Sequence, residues 1–117
     1  MDLIIRNVDE TEKGMGNEIS QRLINSNDGV PNYTLTRHTI EPDMEVPPHT
    51  HDWEHVNFIL EGNGILKLGD EEHPVRPGDA VFIPPKIQHQ YVNKGPGNLV
   101  RLTINPLEAA TRRGGGR

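Results

Sequence analysis

Three histidines fall within seven residues of the chain, at His49, His51 and His55. Residues i and i+2 of an extended strand project to the same face, so the side chains of His49 and His51 point in the same direction. A sharp turn after His51 would direct His55 to the same point. Because neutral imidazole is the commonest protein ligand for divalent transition metals, this spacing favours a metal site. The alternative is a cluster of ordinary polar histidines at the surface.

A fourth histidine that could join this cluster is His89, which follows 34 residues after His55. Pairing of the intervening strands would return it to the first three histidines, although the spacing alone leaves this open. The other two histidines, His38 and His73, lie outside both segments and are expected at the surface. Trp53 is expected to anchor the chain beside the site, because its large side chain favours burial.

The elements that position these histidines are expected to be short strands. Ten prolines and twelve glycines in 117 residues leave little room for long helices, so an all-β fold is predicted. Strands of about four to eight residues, spaced roughly ten apart, predict a single-domain sandwich or small barrel. Residues 19–25 are ambiguous between a strand and a short helix, and residues 106–111 could form one helical turn. The other predicted strands are residues 3–8, 33–40, 55–60, 65–68, 73–75, 80–83, 89–93 and 99–104.

The composition limits the size and the partners of the molecule. Hydrophobic residues make up 32% of the chain, enough for one compact core over residues 1–110, and residues 111–117 are expected to form a disordered tail. A core this small would be stabilised by association with a second copy, and a homodimer is therefore expected. The net charge of −5 argues against a nucleic-acid partner, and no apolar run approaches the roughly 20 residues that span a membrane. The absence of cysteine fits a cytoplasmic location.

The first histidine segment resembles the first of two motifs of the cupin family. That motif has two histidines separated by one residue, then an acidic residue and a glycine, and here His55 takes the acidic position. Small cupins that carry Trp-Glu-His at this point show the same variation, which residues 53–55 match. Asp43 stands where the motif usually begins with glycine, a small departure because aspartate also tolerates turn geometry. The matched residues are His49, His51, His55 and Gly62.

The second segment resembles the second cupin motif, which has a glycine, a proline, a histidine and an asparagine at fixed spacing. Lys86 replaces a glycine inside the motif. The two motifs follow each other in the expected order over residues 43–93, so the resemblance is specific. The matched residues are Gly78, Pro84, His89 and Asn93.

The resemblance implies a double-stranded β-helix, or jelly-roll barrel, with a divalent metal ion at its mouth. Four imidazole ligands would leave the charge of the ion uncancelled, and two positions would remain for water, dioxygen or a bidentate substrate. The family favours Mn(II) or Fe(II), and Zn(II), Ni(II) and Cu(II) are chemically possible. The implied ligands are His49, His51, His55 and His89.

The strand pattern indicates four residues that could bind a substrate. Asn57 shares a face with His55, and Tyr91 shares a face with His89, although either could be an ordinary interior residue. In the last strand, Arg101 and Thr103 face either solvent or the barrel mouth, as last-strand residues do in similar cupins. In the mouth, the guanidinium of Arg101 could bind a substrate carboxylate in a bidentate contact.

These features favour an enzyme that acts on a small oxygen-bearing molecule. Its reaction would be either a dioxygenase-like oxidation or a Lewis-acid isomerisation or elimination next to a carbonyl. The alternative is a non-catalytic module that binds a metal or a small molecule, because the motifs contain no convincing general base. A third hypothesis is a scaffold whose histidines bind metal only adventitiously.

Overall fold

The computed structural model describes residues 2–107, and their regular secondary structure is almost entirely antiparallel strands. Two short 3-10 helices, Val8–Glu10 and Ser26–Asp28, are the helical elements that accompany these strands in the described range. No helix among the described residues is long and apolar enough to cross a membrane. The strands are β1 (Gly14–Met15), β2 (Ile19–Ile24), β3 (Tyr33–Ile40), β4 (His55–Glu61), β5 (Gly64–Leu68), β6 (Glu71–Val75), β7 (Ala80–Ile83), β8 (His89–Asn93) and β9 (Leu99–Pro106).

Two sheets share one apolar core. The larger sheet has the order β1-β2-β3-β9-β4-β7, and the smaller sheet has the order β6-β5-β8. The larger sheet contributes Ile40, Ile59, Ile83 and Leu99 to the core, each almost fully buried, and the smaller sheet contributes Leu66. Burying a side chain of this size contributes about 1.5–3 kcal/mol. The architecture confirms the expected all-β, single-domain jelly-roll barrel.

Glycines allow the tight turns between strands of this barrel. Gly62, between β4 and β5, has a φ of 94°, and a Cβ atom there would collide with the carbonyl oxygen of Asn98. Only glycine therefore fits this position of the first motif without a backbone shift. Gly69, in the hairpin between β5 and β6, has a φ of 59°, which also suits glycine.

The expected strand over residues 3–8 is wrong. Leu3 and Ile5 are 85% and 86% exposed and form no ladder with a neighbouring strand. The side chain of Asn7 accepts a hydrogen bond from the backbone of Asp9, and Glu10 bonds back to the Asn7 backbone. This reciprocal capping starts a 3-10 turn, so the chain leaves the extended conformation.

The other predicted strands are confirmed, with ends that shift by up to two residues. The ambiguous residues 19–25 form a strand, because β2 pairs with β3 from Ile19 to Ile24. Of the proposed helical turn at residues 106–111, Pro106 still pairs with Tyr33 in the large sheet, whereas Leu107 is helical. The rest of that turn and the tail, residues 111–117, lie outside the described residues.

Candidate metal centre

Backbone pairing brings the two histidine segments together. His49 lies in an extended stretch in which consecutive prolines at positions 47 and 48 exclude a helix. Its N–H donates to the carbonyl of His89 at 3.0 Å, and the His89 N–H donates to the carbonyl of His49 at 3.0 Å. This isolated bridge joins the first motif to the start of β8. The return of His89 to the first cluster, which the spacing left open, is therefore confirmed.

Four imidazole rings lie side by side at this junction. The ring centroid of His89 is 4.7 Å from that of His49, 4.8 Å from that of His51 and 5.0 Å from that of His55. Ligand atoms of His49, His51 and His89 all lie within 4.8 Å of one another. His55 adjoins this trio, with its ring centroid 5.2 Å from that of His51. The structure therefore brings three histidines into ligating proximity and sets the fourth beside them.

Two of the rings carry buried nitrogens that make no hydrogen bond. Both ring nitrogens of His55 and Nε2 of His89 are of this kind. Nδ1 of His89 lies 3.0 Å from the carbonyl of Ile87, and Nδ1 of His49 lies 3.0 Å from the carbonyl of Pro47. Such contacts fix the ring orientation and leave Nε2 as the ligand atom. A buried nitrogen without a partner is costly, so this donor set fits a divalent ion.

Burial keeps these rings neutral, as a metal ligand must be. The pKa of His55 is lowered to about 2, mainly because burial disfavours the charged ring and further because His89 and His51 would repel it. Burial also lowers the pKa of His89. Both imidazoles are therefore uncharged at neutral pH and need lose no proton to bind a cation.

The metal-free protein is expected to lose stability as the pH falls below about 6.5, the ordinary pKa of histidine. Below that pH the unfolded chain takes up a proton at residue 55, whereas the folded chain resists protonation until the pH approaches about 2. The free energy of unfolding should drop by about 1 kcal/mol for each pH unit below that value. Urea unfolding of chelated protein at several pH values measures this slope.

A matched pair of variants isolates the contribution of His55 to that slope. His55→Gln removes the titrating ring and should flatten the curve, whereas His73→Gln changes an exposed histidine that contacts Glu71 outside the site. His73→Gln should leave the slope unchanged. Equal slopes in the wild-type and His55→Gln proteins would show that this ring does not govern the acid response.

A buried ion pair lies in the same pocket. Nη1 and Nη2 of Arg101 donate to the two carboxylate oxygens of Glu18 at 2.8 and 3.3 Å. The two side chains are only 6% and 10% exposed, and the guanidinium lies over the ring of Tyr91, 4.6 Å from its centroid. Arg101 therefore faces the barrel mouth rather than solvent, and its carboxylate partner in the structure is Glu18.

Glu18 lies in a polar stretch before β2, and no motif or strand pattern in the sequence marks it as part of the site. Burial by itself would raise the pKa of Glu18, but the charges of Arg101 and His38 outweigh it and lower the pKa. The carboxylate is therefore ionised at neutral pH.

The expectation that His38 lies at the surface is wrong, whereas His73 is exposed as expected. His38 is only 3% exposed, and its Nδ1 lies 3.1 Å from Oγ of Ser20 and 3.6 Å from a carboxylate oxygen of Glu18. It points inward because it pairs with Arg101 across the β3–β9 ladder, and paired residues share a face of the sheet. His38 lies on β3, between β2 and β9 in the large sheet, so the inner face of β3 is covered.

The other proposed substrate-binding residues form a hydrogen-bonded chain behind the pocket wall. The hydroxyl of Tyr91 donates to Oδ1 of Asn57 at 2.8 Å, and Nδ2 of Asn57 donates to Oγ1 of Thr103 at 3.0 Å. Burial raises the pKa of Tyr91 to about 12, so its hydroxyl stays protonated. Thr103 lines the pocket together with Arg101. Asn57 and Tyr91 are therefore interior residues whose polar groups are hydrogen-bonded within the protein, which is the alternative interpretation given for each.

Two contacts orient His51. The indole of Trp53 stacks on its ring, with centroids 4.5 Å apart and planes 9° from parallel, so the expected anchor is confirmed. The backbone N–H of Lys86 donates to the carbonyl of His51 at 2.7 Å. Lys86 has a φ of 68°, a conformation that favours the glycine usual at this motif position.

An open pocket of about 1110 Å³ lies in front of the histidines. Its walls come from β2, β3 and the segment before β4, and residues 10–18 form one side of its rim. The volume exceeds the roughly 300–1,000 Å³ typical of small-molecule sites. Beside the charged residues of its rim, the pocket is lined by Glu18, His38, His49, His51, His55 and Arg101.

Comparison with known proteins agrees with this geometry. The family model described as the cupin domain matches residues 36–105, a range that includes all four clustered histidines. A similar solved structure is that of the polyketide cyclase RemF from Streptomyces resistomycificus, which is 29% identical to this chain. The match covers 92% of this chain and 80% of that one, with a TM-score of 0.80.

Two curated proteins match over shorter stretches. An uncharacterized protein of Methanocaldococcus jannaschii is 43% identical over 42 residues, which are 36% of this chain and 34% of that protein. The HTH-type transcriptional activator RhaR of Mannheimia succiniciproducens is 34% identical over 58 residues, which are 50% of this chain and 20% of that protein. The matches thus span about a third and a fifth of the lengths of these relatives. Since the barrel, the paired motifs and the family match over residues 36–105 coincide, the chain belongs to the cupin family.

Proposed function

We propose that this cupin is a metal-dependent enzyme that catalyses isomerisation, elimination or cyclisation next to a carbonyl group of a small oxygen-bearing molecule. The convergence of four imidazole rings beside an open pocket carries this proposal, together with the buried nitrogens of His55 and His89 that make no hydrogen bond. The proposed domain comprises residues 1–110. When bound, a divalent ion supplies an electrophile that polarises a substrate oxygen. The proposed ligands are His49, His51, His55 and His89.

The donor set favours an oxyanion as the bound group. Four neutral imidazoles cancel none of the ion's charge, whereas a carboxylate ligand would cancel part of it. The uncancelled charge favours enolate, phenolate or carboxylate oxygens over neutral groups. Mn(II) and Fe(II) are the proposed ions, since both accept oxygen ligands beside imidazole.

Glu18 is the proposed proton acceptor in the pocket. It lines the same cavity as the histidines, and its low pKa keeps it ionised at neutral pH. A carboxylate of low pKa is a weak base, so it suits a proton that a polarised carbonyl has made acidic. Arg101 holds Glu18 in place through both carboxylate oxygens and is the proposed positioning residue for it.

The similarity to RemF favours this reaction class over oxidation. RemF is described as a polyketide cyclase. It is 29% identical to this chain in an alignment that covers 92% of the chain. Ring closure at a carbonyl needs an enolate and an electrophile but consumes no oxidant. A dioxygenase-like oxidation is the other enzymatic possibility, and it requires uptake of oxygen with the substrate.

Proton exchange at carbon tests the proposal directly. Protein loaded with Mn(II) or Fe(II) is incubated in D₂O with 1,3-diketones, hydroxy acids and β-ketoacyl thioesters, and NMR follows loss of the C–H signals next to the carbonyl. We expect exchange roughly 100-fold faster than with free metal. His51→Ala should abolish the acceleration, and His73→Gln, outside the site, should retain it.

An oxygen electrode separates the two enzymatic possibilities in the same samples. Substrate-dependent oxygen uptake without C–H exchange would replace the proposed reaction class by oxidation. If neither exchange nor uptake occurs although the protein holds stoichiometric metal, the chain does not have the proposed activity.

A non-catalytic binding module is the second candidate function. The match to the transcriptional activator RhaR over 58 residues supports it, because a regulator can use such a barrel to bind a small molecule without converting it. Calorimetry with the same compound panel distinguishes this function. Saturable binding at the pocket with no change in the compound after prolonged incubation would favour the binding module.

A further inference from the structure

Asn105, near the end of β9, has a side-chain amide that is buried without a hydrogen bond. The residue is 0% exposed, and neither Oδ1 nor Nδ2 bonds to any residue between positions 2 and 107. An amide buried in this way is costly, and an apolar side chain would fill the same space without that cost. The presence of an asparagine here therefore points to a polar neighbour that the amide serves.

The register of the large sheet sets Asn105 between two residues with the same property. Thr34 of β3 pairs with Asn105 directly. The ladder between β4 and β9, continued by one residue, sets His55 opposite Asn105 on its other side. Within the described range, Oγ1 of Thr34 and both ring nitrogens of His55 are also buried without a hydrogen bond. Three adjacent side chains of one row across the inner face thus carry unbonded polar atoms.

The neighbouring row of the same face shows that side chains in this register reach one another. Asn57 lies two residues after His55, and Thr103 lies two residues before Asn105, so this pair has the same ladder geometry. Nδ2 of Asn57 donates to Oγ1 of Thr103 at 3.0 Å. Directly opposite residues have Cβ atoms roughly 4.5–5.5 Å apart. The amide of Asn105 and the ring of His55 are therefore within reach of each other through rotation of either group.

The ring of His55 differs from the other three rings of the cluster in what orients it. Nδ1 of His49 and Nδ1 of His89 each lie 3.0 Å from a carbonyl oxygen, and the ring of His51 stacks on an indole. In the part of the chain that the structure describes, His55 has no hydrogen bond and no ring stack from outside the cluster. A histidine ligand usually donates its second ring nitrogen to an acceptor, which fixes the tautomer. Oδ1 of Asn105 is such an acceptor.

We propose that Asn105 is the positioning residue of His55. Its Oδ1 accepts a hydrogen bond from one ring nitrogen, so that the other nitrogen is left as the ligand atom. Neutral imidazole has one N–H and one nitrogen with a free electron pair, so holding the proton on one side fixes the electron pair on the other. Nδ2 of Asn105 then donates to Oγ1 of Thr34, which keeps the amide from turning over. This inference rests on the proposed function, because it takes His55 as a ligand of the ion.

Two substitutions of Asn105 test the effect of the amide on ion binding. Asn105→Leu keeps a branched side chain but has no acceptor, and it should bind Mn(II) roughly 10–100-fold more weakly in calorimetric titration. Asn105→Asp keeps an acceptor and should retain the wild-type affinity. Thr36→Val is the matched control, because Thr36 is buried on the same face and pairs with Thr103 one row away. It should bind Mn(II) as the wild type does.

Nitrogen NMR of the His55 ring separates positioning from a merely structural role. The full chain is freed of metal and kept at neutral pH, where this ring is uncharged, and His55→Gln assigns the signals. We expect one protonated and one unprotonated nitrogen in the wild type, in Asn105→Asp and in Thr36→Val. Asn105→Leu should give signals averaged between two tautomers. Averaged signals in the wild type overturn the proposal, even if Asn105→Leu does not fold.

The Mn(II) titrations distinguish failure of this inference from failure of the proposed function. If Asn105→Leu is folded by circular dichroism and binds Mn(II) as tightly as the wild type, Asn105 does not position a ligand, and the proposed function stands. A wild-type chain that binds no Mn(II) overturns the proposed function, and the positioning role falls with it.

Discussion

Replacing His51 or His55 with alanine is expected to remove most of the bound metal while leaving the fold intact. His51 lies in the tight trio of ligand atoms, and His55 has two buried nitrogens without a hydrogen bond. Loss of a residue that only supports a ligand typically costs 10–100-fold in affinity, so loss of a ligand should cost roughly 100-fold or more. Elemental analysis of untagged protein and calorimetric titration with Mn(II) measure the change.

The comparison between these variants separates a four-histidine site from a three-histidine site. If the ion takes all four imidazoles, His55→Ala and His51→Ala lose comparable affinity. Full metal content in His55→Ala, together with loss in His51→Ala, would restrict the ligand set to the trio. His73→Ala is the control, because this exposed histidine contacts Glu71 outside the pocket. Equal metal content in all of these proteins would show that the cluster binds no specific ion.

Replacing Arg101 with methionine is expected to lower the free energy of unfolding by about 3–5 kcal/mol. The substitution keeps the unbranched apolar stem of the side chain but leaves the carboxylate of Glu18 buried without its counter-charge. The double variant Arg101→Met with Glu18→Gln removes both charges and should regain most of the loss, because replacement of a whole buried pair is often neutral. Urea unfolding of the wild type, the two single variants Arg101→Met and Glu18→Gln, and the double variant completes the double-mutant cycle.

A second, more exposed ion pair in the same chain is the comparison for the stability effect of Arg101→Met. Arg6 and Asp28 lie 2.8 Å apart, but the Arg6 side chain is 30% exposed. Arg6→Met should therefore cost much less stability than Arg101→Met, because solvent screens this pair. If Arg101→Met costs no more than Arg6→Met, or if adding Glu18→Gln restores nothing, the buried pair does not stabilise the barrel in the way described.

The sequence predicted the parts of the site that depend on local rules. His49 and His51 converge because alternate residues of an extended chain share a face, and the prolines before them keep the chain extended. Strand parity placed Arg101 and Thr103 on one face of the last strand, and that face is the interior. Glycine and proline marked the strand ends, so most boundaries agree with the structure within two residues.

The parts that depend on distant pairing could not be predicted. Glu18 lies 83 residues before Arg101, and only the order of β2, β3 and β9 in the sheet brings the two together. The end of the first predicted strand was nevertheless indicated by the sequence. Asn7 followed three residues later by Glu10 is a capping pattern that starts a helical turn.

The polarity of β4 shows why hydropathy alone misleads in a barrel with a polar interior. Its apolar residues Val56 and Phe58 face outward, while His55 and Asn57 face inward. A simple rule would bury the apolar set and expose the polar set. The interior of this barrel holds the histidine cluster and a hydrogen-bonded chain, so the usual assignment of inside and outside is reversed over residues 55–58, before Ile59 enters the apolar core.

Because a backbone bridge joins His49 to His89, the affinity of the site for an ion would be coupled to the closure of the barrel mouth. The two residues exchange backbone hydrogen bonds of 3.0 Å at the seam between the extended segment and the small sheet, and their rings lie side by side. A fluctuation that opens this bridge therefore separates two of the proposed ligands, and an ion held by both would oppose that fluctuation. Each tenfold excess of free ion over its dissociation constant would add about 1.4 kcal/mol to the work of opening the barrel mouth.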